Sequence, residues 1–214
     1  LVTHDVTESE RIDQMRRDFI ANASHELRTP LTVINGFLEI AASGFDLDVA
    51  TRDAHIKLMS EQGERMRRLV EDMLTLSRLE STEIQVRREA IDMQLMLHHL
   101  ETEAQALSGG RHQIEVVCEG PDLEGSSDEI RSAMSNLVSN AIRYTPGGGQ
   151  IKISWIETES GPCFSVQDNG IGIDSQYFDR IFQLFQRLHP HSQYPGTGIG
   201  LAVCKKIVEK HGGQ

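Results

Sequence analysis

Apolar residues in the first fifth of the chain recur at Ile12, Met15, Phe19, Leu27, Leu31, Ile34, Leu38 and Ala41, in steps of three and four with one skip. That is the stripe of an amphipathic helix running from Arg11 to about Ala42. At ~1.5 Å per residue it would be ~45 Å long, more than a small domain covers, so it needs a partner along its length. Ser43-Gly44-Phe45-Asp46 offers a glycine stop and polar turn residues. A second stripe then runs from about Thr51 through Ile56, Met59, Met66, Leu69, Val70, Met73, Leu74 and Leu76 to Leu79. The pattern predicts an antiparallel helical hairpin. Since a lone hairpin buries one face of each helix, two copies closing a four-helix bundle would complete the core, and a homodimer is expected.

Beyond Arg87 the pattern changes. Ile91 to Ala106 reads as a helix broken by Gly109-Gly110, and residues 112–118 alternate as a strand. Asp128 can cap a helix whose apolar face is Ile130, Met134, Leu137, Val138 and Ala141, with Gly147-Gly148-Gly149 ending it. Ile151, Ile153 and Trp155 alternate, a break follows at 157–162, and Phe164, Val166 and Asp168 share the next strand's face, so a hairpin is expected. Leu201 to Lys210 reads as a last helix. The fold class is therefore a helical hairpin followed by an α/β sandwich with consecutive strands antiparallel. The expected division is 1–10 as a linker from a preceding segment, 11–85 as the hairpin and 86–214 as the α/β domain.

The 214 residues suit two modest domains, and 38% hydrophobic with 25% charged residues suits packed cores and excludes wholesale disorder. The net charge of −11 is shared by both halves, which argues against a nucleic-acid or anionic-membrane binder. Cys118, Cys163 and Cys204 lack C-x-x-C spacing, so neither a disulfide framework nor a cysteine zinc site is expected. A reducing, cytoplasmic compartment follows. No apolar run approaches a membrane span, so no direct membrane contact is expected of this stretch; a longer parent anchored at the inner membrane is compatible with it.

His25 breaks the first stripe. At about 100° per residue it lies roughly 120° from Phe19 and Leu31, and hence points to solvent. Glu26 follows it, Thr29 shares its face one turn on, and Pro30 removes the hydrogen bond to the Glu26 carbonyl, so a bend or loosened turn is expected there. A lone exposed histidine on a helix is usually only solvated; the surrounding cluster shifts that balance.

In the second half, Asn136, Asn140 and Arg143 step by four and three onto one helix face, with Tyr144 beside them. Alone, such a face is more often merely solvated. Asp168-Asn169-Gly170-Ile171-Gly172-Ile173 adds an acid at a strand end and glycines that let backbone approach a flat ligand. Gly196-Thr197-Gly198-Ile199-Gly200-Leu201 runs into a helix whose first N–H groups suit phosphate. The G-x-G-x-G spacing follows no strand, and no G-x-x-x-x-G-K-[ST] occurs, which disfavours Rossmann and P-loop sites. His98 and His99 point about 100° apart on a helix and make a poor metal pair, while His189 and His191 read as loop residues.

Asp18 to Thr32, with His25-Glu26-Leu27-Arg28-Thr29-Pro30 at its centre, resembles the H-box of two-component sensor histidine kinases, close to the phosphate-regulon sensor type. The ordered set Asn136/Asn140, Asp168/Gly170/Gly172 and Gly196/Gly198/Gly200 resembles the N and glycine boxes of the Bergerat ATP fold. Ile181 to Arg187 is similar to the aromatic F-box that anchors the lid; two phenylalanines filling core explain it equally well. The lid itself, Tyr194 to Lys206, resembles phytochrome-type kinases, and Leu1 to Glu8 the end of a PAS-type sensory domain. Where the chain stops, at His211 to Gln214, family members continue into a further strand, so an open sheet edge or a truncated chain is expected.

The resemblance implies ATP-dependent autophosphorylation of His25, with Glu26 as base, then transfer to the aspartate of a response regulator receiver domain, and regulator dephosphorylation using a water oriented by Thr29. It implies that Asn140 coordinates Mg2+, that Asn136, Arg143 and Tyr144 line the phosphate and adenine sides, and that Asp168 accepts from the adenine amino group. Gly170 and Gly172 would admit the base; Gly196, Thr197, Gly198, Gly200 and Leu201 would wrap the phosphates. Two rivals stand beside it. A Bergerat-fold ATPase clamp would need a water-activating carboxylate, and Glu129 lies seven residues before Asn136, too early in the helix. A non-catalytic scaffold with a degenerate pocket conflicts with the intact acid and glycines.

Overall fold

The structure, a computed structural model, describes residues 6–44, 47–80, 88–188, 194 and 196–213, with side chains from Ala21 onward. Contacts divide the chain into two compact units, Leu1–Met73 and Leu74–Gln214.

The first unit is built from α1 (Val6–Ala42) and most of α2 (Val49–Glu80). α1 starts five residues before the expected Arg11, and α2 exceeds its expected stretch by less than a turn at either end. The helix runs through Pro30 without a break, and the expected loosened turn is absent: Pro30 is fully buried, so packing outweighs its missing N–H. Asp48 starts α2, accepting from the Thr51 hydroxyl (2.7 Å) and N–H (3.0 Å), which together hold its carboxyl below the ordinary carboxylate range.

Two cross-helix pairs set the register. The Phe37 and His55 rings lie 4.4 Å apart, and Arg65 Nη2 donates to Glu26 Oε2 at 2.7 Å. The midpoints of the two pairs fall at positions 45–46, so the helices are antiparallel around the expected turn; Phe45 and Asp46 lie outside the described residues. In antiparallel helices the residue after each facing position turns to one side of the hairpin, and the residue before it to the other. Leu31, Leu38, Ile56 and Val70 each follow a facing or buried residue, namely Pro30, Phe37, His55 and Leu69. They form one apolar side, and all four are exposed. His25 and Thr29 each precede one, Glu26 and Pro30, and turn the other way.

The second unit is an α/β sandwich. β1 (Glu89–Ile91) pairs antiparallel with β3 (Leu123–Gly125) as a small accessory ladder. The main sheet orders β2 (Gln113–Cys118), β4 (Gln150–Thr158) and β5 (Gly161–Asp168), with β4 central. β4 and β5 form the expected hairpin, but β2 and β4 are parallel, contrary to the antiparallel expectation. The reason is α4 (Ser127–Tyr144), which lies between them in the chain and carries it back to the end where β2 began.

Two helix starts also differ from the pattern reading. Ile91 ends β1, and α3 (Met93–Ser108) begins after Asp92, whose carboxylate accepts from Leu95 N–H. Ser126, not Asp128, is the N-cap of α4; Asp128 and Glu129 sit in its first turn, where carboxylates suit the helix dipole. At the other end α4 stops at Tyr144 with Thr145 as C-cap, before the glycine run.

One core joins Met93, Met96, Leu97 and Leu100 of α3 to Ile130 and Met134 of α4 and Trp155 of β4. A second joins Ala104, Val138, Ala141 and Ile142 to Ile151 and Ile153. α5 (Gly200–Lys210) buries Ala202, Val203, Cys204 and Ile207, packing on α4. Leu100 is 1% exposed. Leu100→Ala is expected to lower stability by about 2–5 kcal/mol, read as a lower urea midpoint with unchanged slope; an unchanged midpoint would contradict this packing.

Candidate functional site

Helix α4 divides its circumference between core and site. Its buried positions, Ile130, Ala133, Met134, Val138, Ala141 and Ile142, recur at three and four. The remaining arc carries Asn136, Asn140 and Arg143, all half-buried, and Arg143 Nη1 donates to Asn140 Oδ1 at 3.5 Å. Burying the first set against the sheet forces the second toward the two glycine segments.

The first segment leaves β5 at Asp168. Gly170 N–H donates to Asp168 Oδ1 at 2.8 Å, and the Thr145 hydroxyl reaches the same oxygen at 3.5 Å, so Oδ2 is the oxygen open to a ligand. Gly170 lies so close to α4 that an added Cβ would overlap the Tyr144 carbonyl oxygen and stand 2.7 Å from Asp168 Oδ1. Ile171 N–H donates to that Tyr144 carbonyl at 3.1 Å. Gly172 has φ +70°, a turn that favours glycine, with no atom near its missing side chain.

The second segment enters α5. An added Cβ on Gly200 would stand 2.8 Å from Asn136 Oδ1, and one on Gly196 would stand 3.4 Å from Arg143 Nη1. Gly198, at φ +72°, rests against the backbone of Phe185 and Gln186 and the Arg187 side chain, so residues of the aromatic segment do anchor this loop. Phe182 is exposed rather than core-filling. Thr197 Oγ1 accepts from Ile199 N–H, and no side chain of the N-cap residue Ile199 caps α5, whose first turn therefore presents N–H groups beside Asn136. Leu201 is half-buried in that turn.

The structure thus gathers Asn136, Asn140, Arg143, Tyr144, Asp168, Gly170, Gly196 and Gly200 around the helix. The arrangement offers an acid for an exocyclic amine, tight backbone for a planar ring, and amides plus N–H groups for a polyphosphate. Tyr194, quoted above only as part of the lid, packs against Tyr144 with ring centroids 4.9 Å apart and the planes tilted by 40°, and Arg187 Nη2 donates to its carbonyl at 2.9 Å. His189, His191 and Pro195 lie outside the described residues. His98 and His99 rings are 6.4 Å apart, and among the described residues no group of three metal-ligating side chains is found.

On the hairpin, His25 and Thr29 are exposed, and Thr29 Oγ1 donates back to the His25 carbonyl at 3.4 Å. The Glu26 carboxylate is held by Arg65, whose side chain is 16% exposed. Pattern reading missed Arg65, because only the antiparallel register reveals that it faces Glu26.

Comparison with known proteins addresses the same two regions. Residues 15–82 match the His Kinase A (phospho-acceptor) domain model, and residues 125–214 the model of histidine kinase-, DNA gyrase B- and HSP90-like ATPases. The chain is 42% identical to the phosphate regulon sensor protein PhoR of Pseudomonas aeruginosa over 99% of its own length and 48% of that protein's. It is 38% identical to the sensor histidine kinase WalK of Bacillus subtilis over 99% of its length and 36% of the relative's. It therefore spans less than half of either curated relative. Among solved structures, the Acinetobacter baumannii histidine kinase AdeS aligns with TM-score 0.69 at 28% identity over 86% of each chain. Histidine kinase ThkA, in complex with the response regulator protein TrrA, aligns with TM-score 0.68 at 21% identity over 100% of this chain and 62% of that one, a likeness of fold.

Gly170→Ala forces a methyl against backbone, and overpacking of this kind costs about 1–3 kcal/mol. It is expected to weaken ADP binding about tenfold or more in a calorimetric titration. Gly147→Ala, where an added Cβ meets nothing, should leave binding unchanged; equal affinity of both variants would contradict the close approach at Gly170.

Proposed function

This chain belongs to the two-component sensor histidine kinases, and on that premise we propose that it phosphorylates its own His25 from ATP and passes the phosphoryl group to an aspartate of a response regulator receiver domain. The observation that carries the reading is the exposure of His25, turned to the side of the hairpin opposite the apolar stripe, in a chain that also holds an intact nucleotide cradle on α4.

Asp168 Oδ2 accepts from the amino group of adenine; guanine presents a carbonyl there, which selects ATP. Tyr144 and the glycines at 170 and 172 bound the base, while Asn136, Arg143 and the start of α5 meet the phosphates. Asn140, whose carboxamide oxygen is a hard donor, would hold Mg2+, which when bound would supply charge neutralisation. One ring nitrogen of His25 attacks the γ-phosphorus, the bond to the β–γ bridging oxygen breaks, and ADP departs with that oxygen. The proton on the other ring nitrogen passes to Glu26, whose carboxylate Arg65 keeps in place. In transfer, the receiver carboxylate attacks phosphorus and the P–N bond breaks, restoring the imidazole. Thr29, on the His25 face, orients water for regulator dephosphorylation.

Glu129, the carboxylate an ATPase clamp would need, is paired with Lys210 Nζ at 2.8 Å, away from the glycine segments. A homodimer would cover Leu31, Leu38, Ile56 and Val70 and leave His25 accessible. Among the described residues no helix is long and apolar enough to cross a membrane; we place this portion on the cytoplasmic side of a parent held at the inner membrane.

His25→Gln is expected to abolish incorporation of label from γ-labelled ATP while ADP affinity stays within about twofold of wild type, since the nucleotide contacts lie on other residues; undiminished labelling would refute the assignment. Replacing both Ile56 and Val70 by lysine should convert the dimer to monomer in sedimentation, because buried unpaired charge is not tolerated; a persisting dimer would contradict the proposed face.

A further inference from the structure

The end of α4 needs partners for carbonyls that have no helical N–H to accept from. Two are satisfied from outside the helix. Tyr144 O accepts from Ile171 N–H at 3.1 Å, and Thr145 O lies 3.0 Å from His112 Nε2. A carbonyl only accepts, so His112 carries its hydrogen on Nε2. Nδ1 then accepts from the Ser108 hydroxyl at 3.1 Å, and Ser108 Oγ in turn accepts from the His112 backbone N–H at 3.0 Å. Ser108 is 1% exposed and ends α3, closed by Gly109 in the left-handed conformation. The ring is thus a strut with both nitrogens used, one on the rigid end of α3 and one on the end of α4.

What the strut holds is the base end of the site. Thr145 follows Tyr144 directly, is itself buried, and sends its hydroxyl to Asp168 Oδ1 at 3.5 Å. A shift of Thr145 would move the ring expected beside adenine and the acid expected to read it. We infer that His112 is a positioning residue for adenine recognition, acting through the Thr145 carbonyl, an inference that rests on the nucleotide reading above. Its effect falls on affinity for the base and not on the phosphoryl-transfer step.

Two near-isosteric substitutions separate the ring's two bonds in the full chain. His112→Gln extends a donor to the Nε2 position and keeps the bond to Thr145; His112→Asn reaches only the Nδ1 position and keeps the bond to Ser108. Losing one net hydrogen bond corresponds to roughly three- to tenfold in affinity. The Asn variant is therefore expected to raise the Kd for ADP, measured by calorimetric titration, about three- to tenfold, with kcat for His25 labelling at saturating ATP within about twofold of wild type. The Gln variant should match wild type in both within about twofold. Wild-type affinity in the Asn variant, equal weakening in both variants, or a fall in kcat as large as that in kcat/KM would overturn the inference. Loss of the buried Trp155 emission in both variants would do the same, making His112 a determinant of the fold. Absence of ADP binding by wild type would instead bring down the nucleotide reading itself.

Discussion

The register of the helical hairpin decides which side chains of the first unit are available for chemistry. Once Phe37 meets His55 and Glu26 meets Arg65, every other residue is assigned a side by helix geometry alone. Pro30 and Leu69 go inside, Leu31, Leu38, Ile56 and Val70 go to one flank, and His25 with Thr29 goes to the other. The separation puts the exposed apolar side chains Leu31, Leu38, Ile56 and Val70 and the exposed imidazole on different flanks of the hairpin. A turn of α1 by one position would carry His25 round toward α2. The Glu26–Arg65 pair resists such a turn, since parting the two would leave half-buried charges without partners.

A comparable division operates in the second unit around one helix. The apolar positions of α4 are claimed by α3, α5 and the sheet, so its amides and guanidinium emerge where the loops after β5 and before α5 arrive. Those loops come close because glycine removes the side chain that would stop them, as at Gly170 against Tyr144 and Gly200 against Asn136. The site is therefore a consequence of packing: the same contacts that stabilise the domain deliver an acid, two carboxamides and the N–H groups of α5 to the exposed side of α4. His112 extends the logic by tying the end of α4 to the end of α3, so the edge of the site at Tyr144 and Thr145 is braced from the core.

Much of this was legible in the residue pattern. The two long helices, the outward turn of His25, the polar face of Asn136, Asn140 and Arg143 and the β4–β5 hairpin all follow from periodicity, because burial alone imposes it. Features decided by long-range geometry were not legible. The parallel pairing of β2 with β4 depends on where α4 returns the chain, which alternation in either strand does not encode. β1 and β3 are three residues each, too short to show a period. Ser126 and Asp128 are both good capping residues, and only the backbone at Ser126, extended with its hydroxyl toward Glu129, distinguishes them. Arg65 and His112 owe their roles to partners 39 and 33 positions away, and no local signal marks either.

The central claim is that one exposed imidazole on the hairpin receives the γ-phosphoryl group of the nucleotide held on α4. Incubation of the wild-type chain with Mg2+ and γ-labelled ATP, followed by peptide mapping of the label, tests it most directly. The account predicts a single acid-labile, base-stable phosphoryl group on the peptide containing His25. Label on a serine, threonine or aspartate peptide, or release of phosphate with no labelled protein, would contradict it.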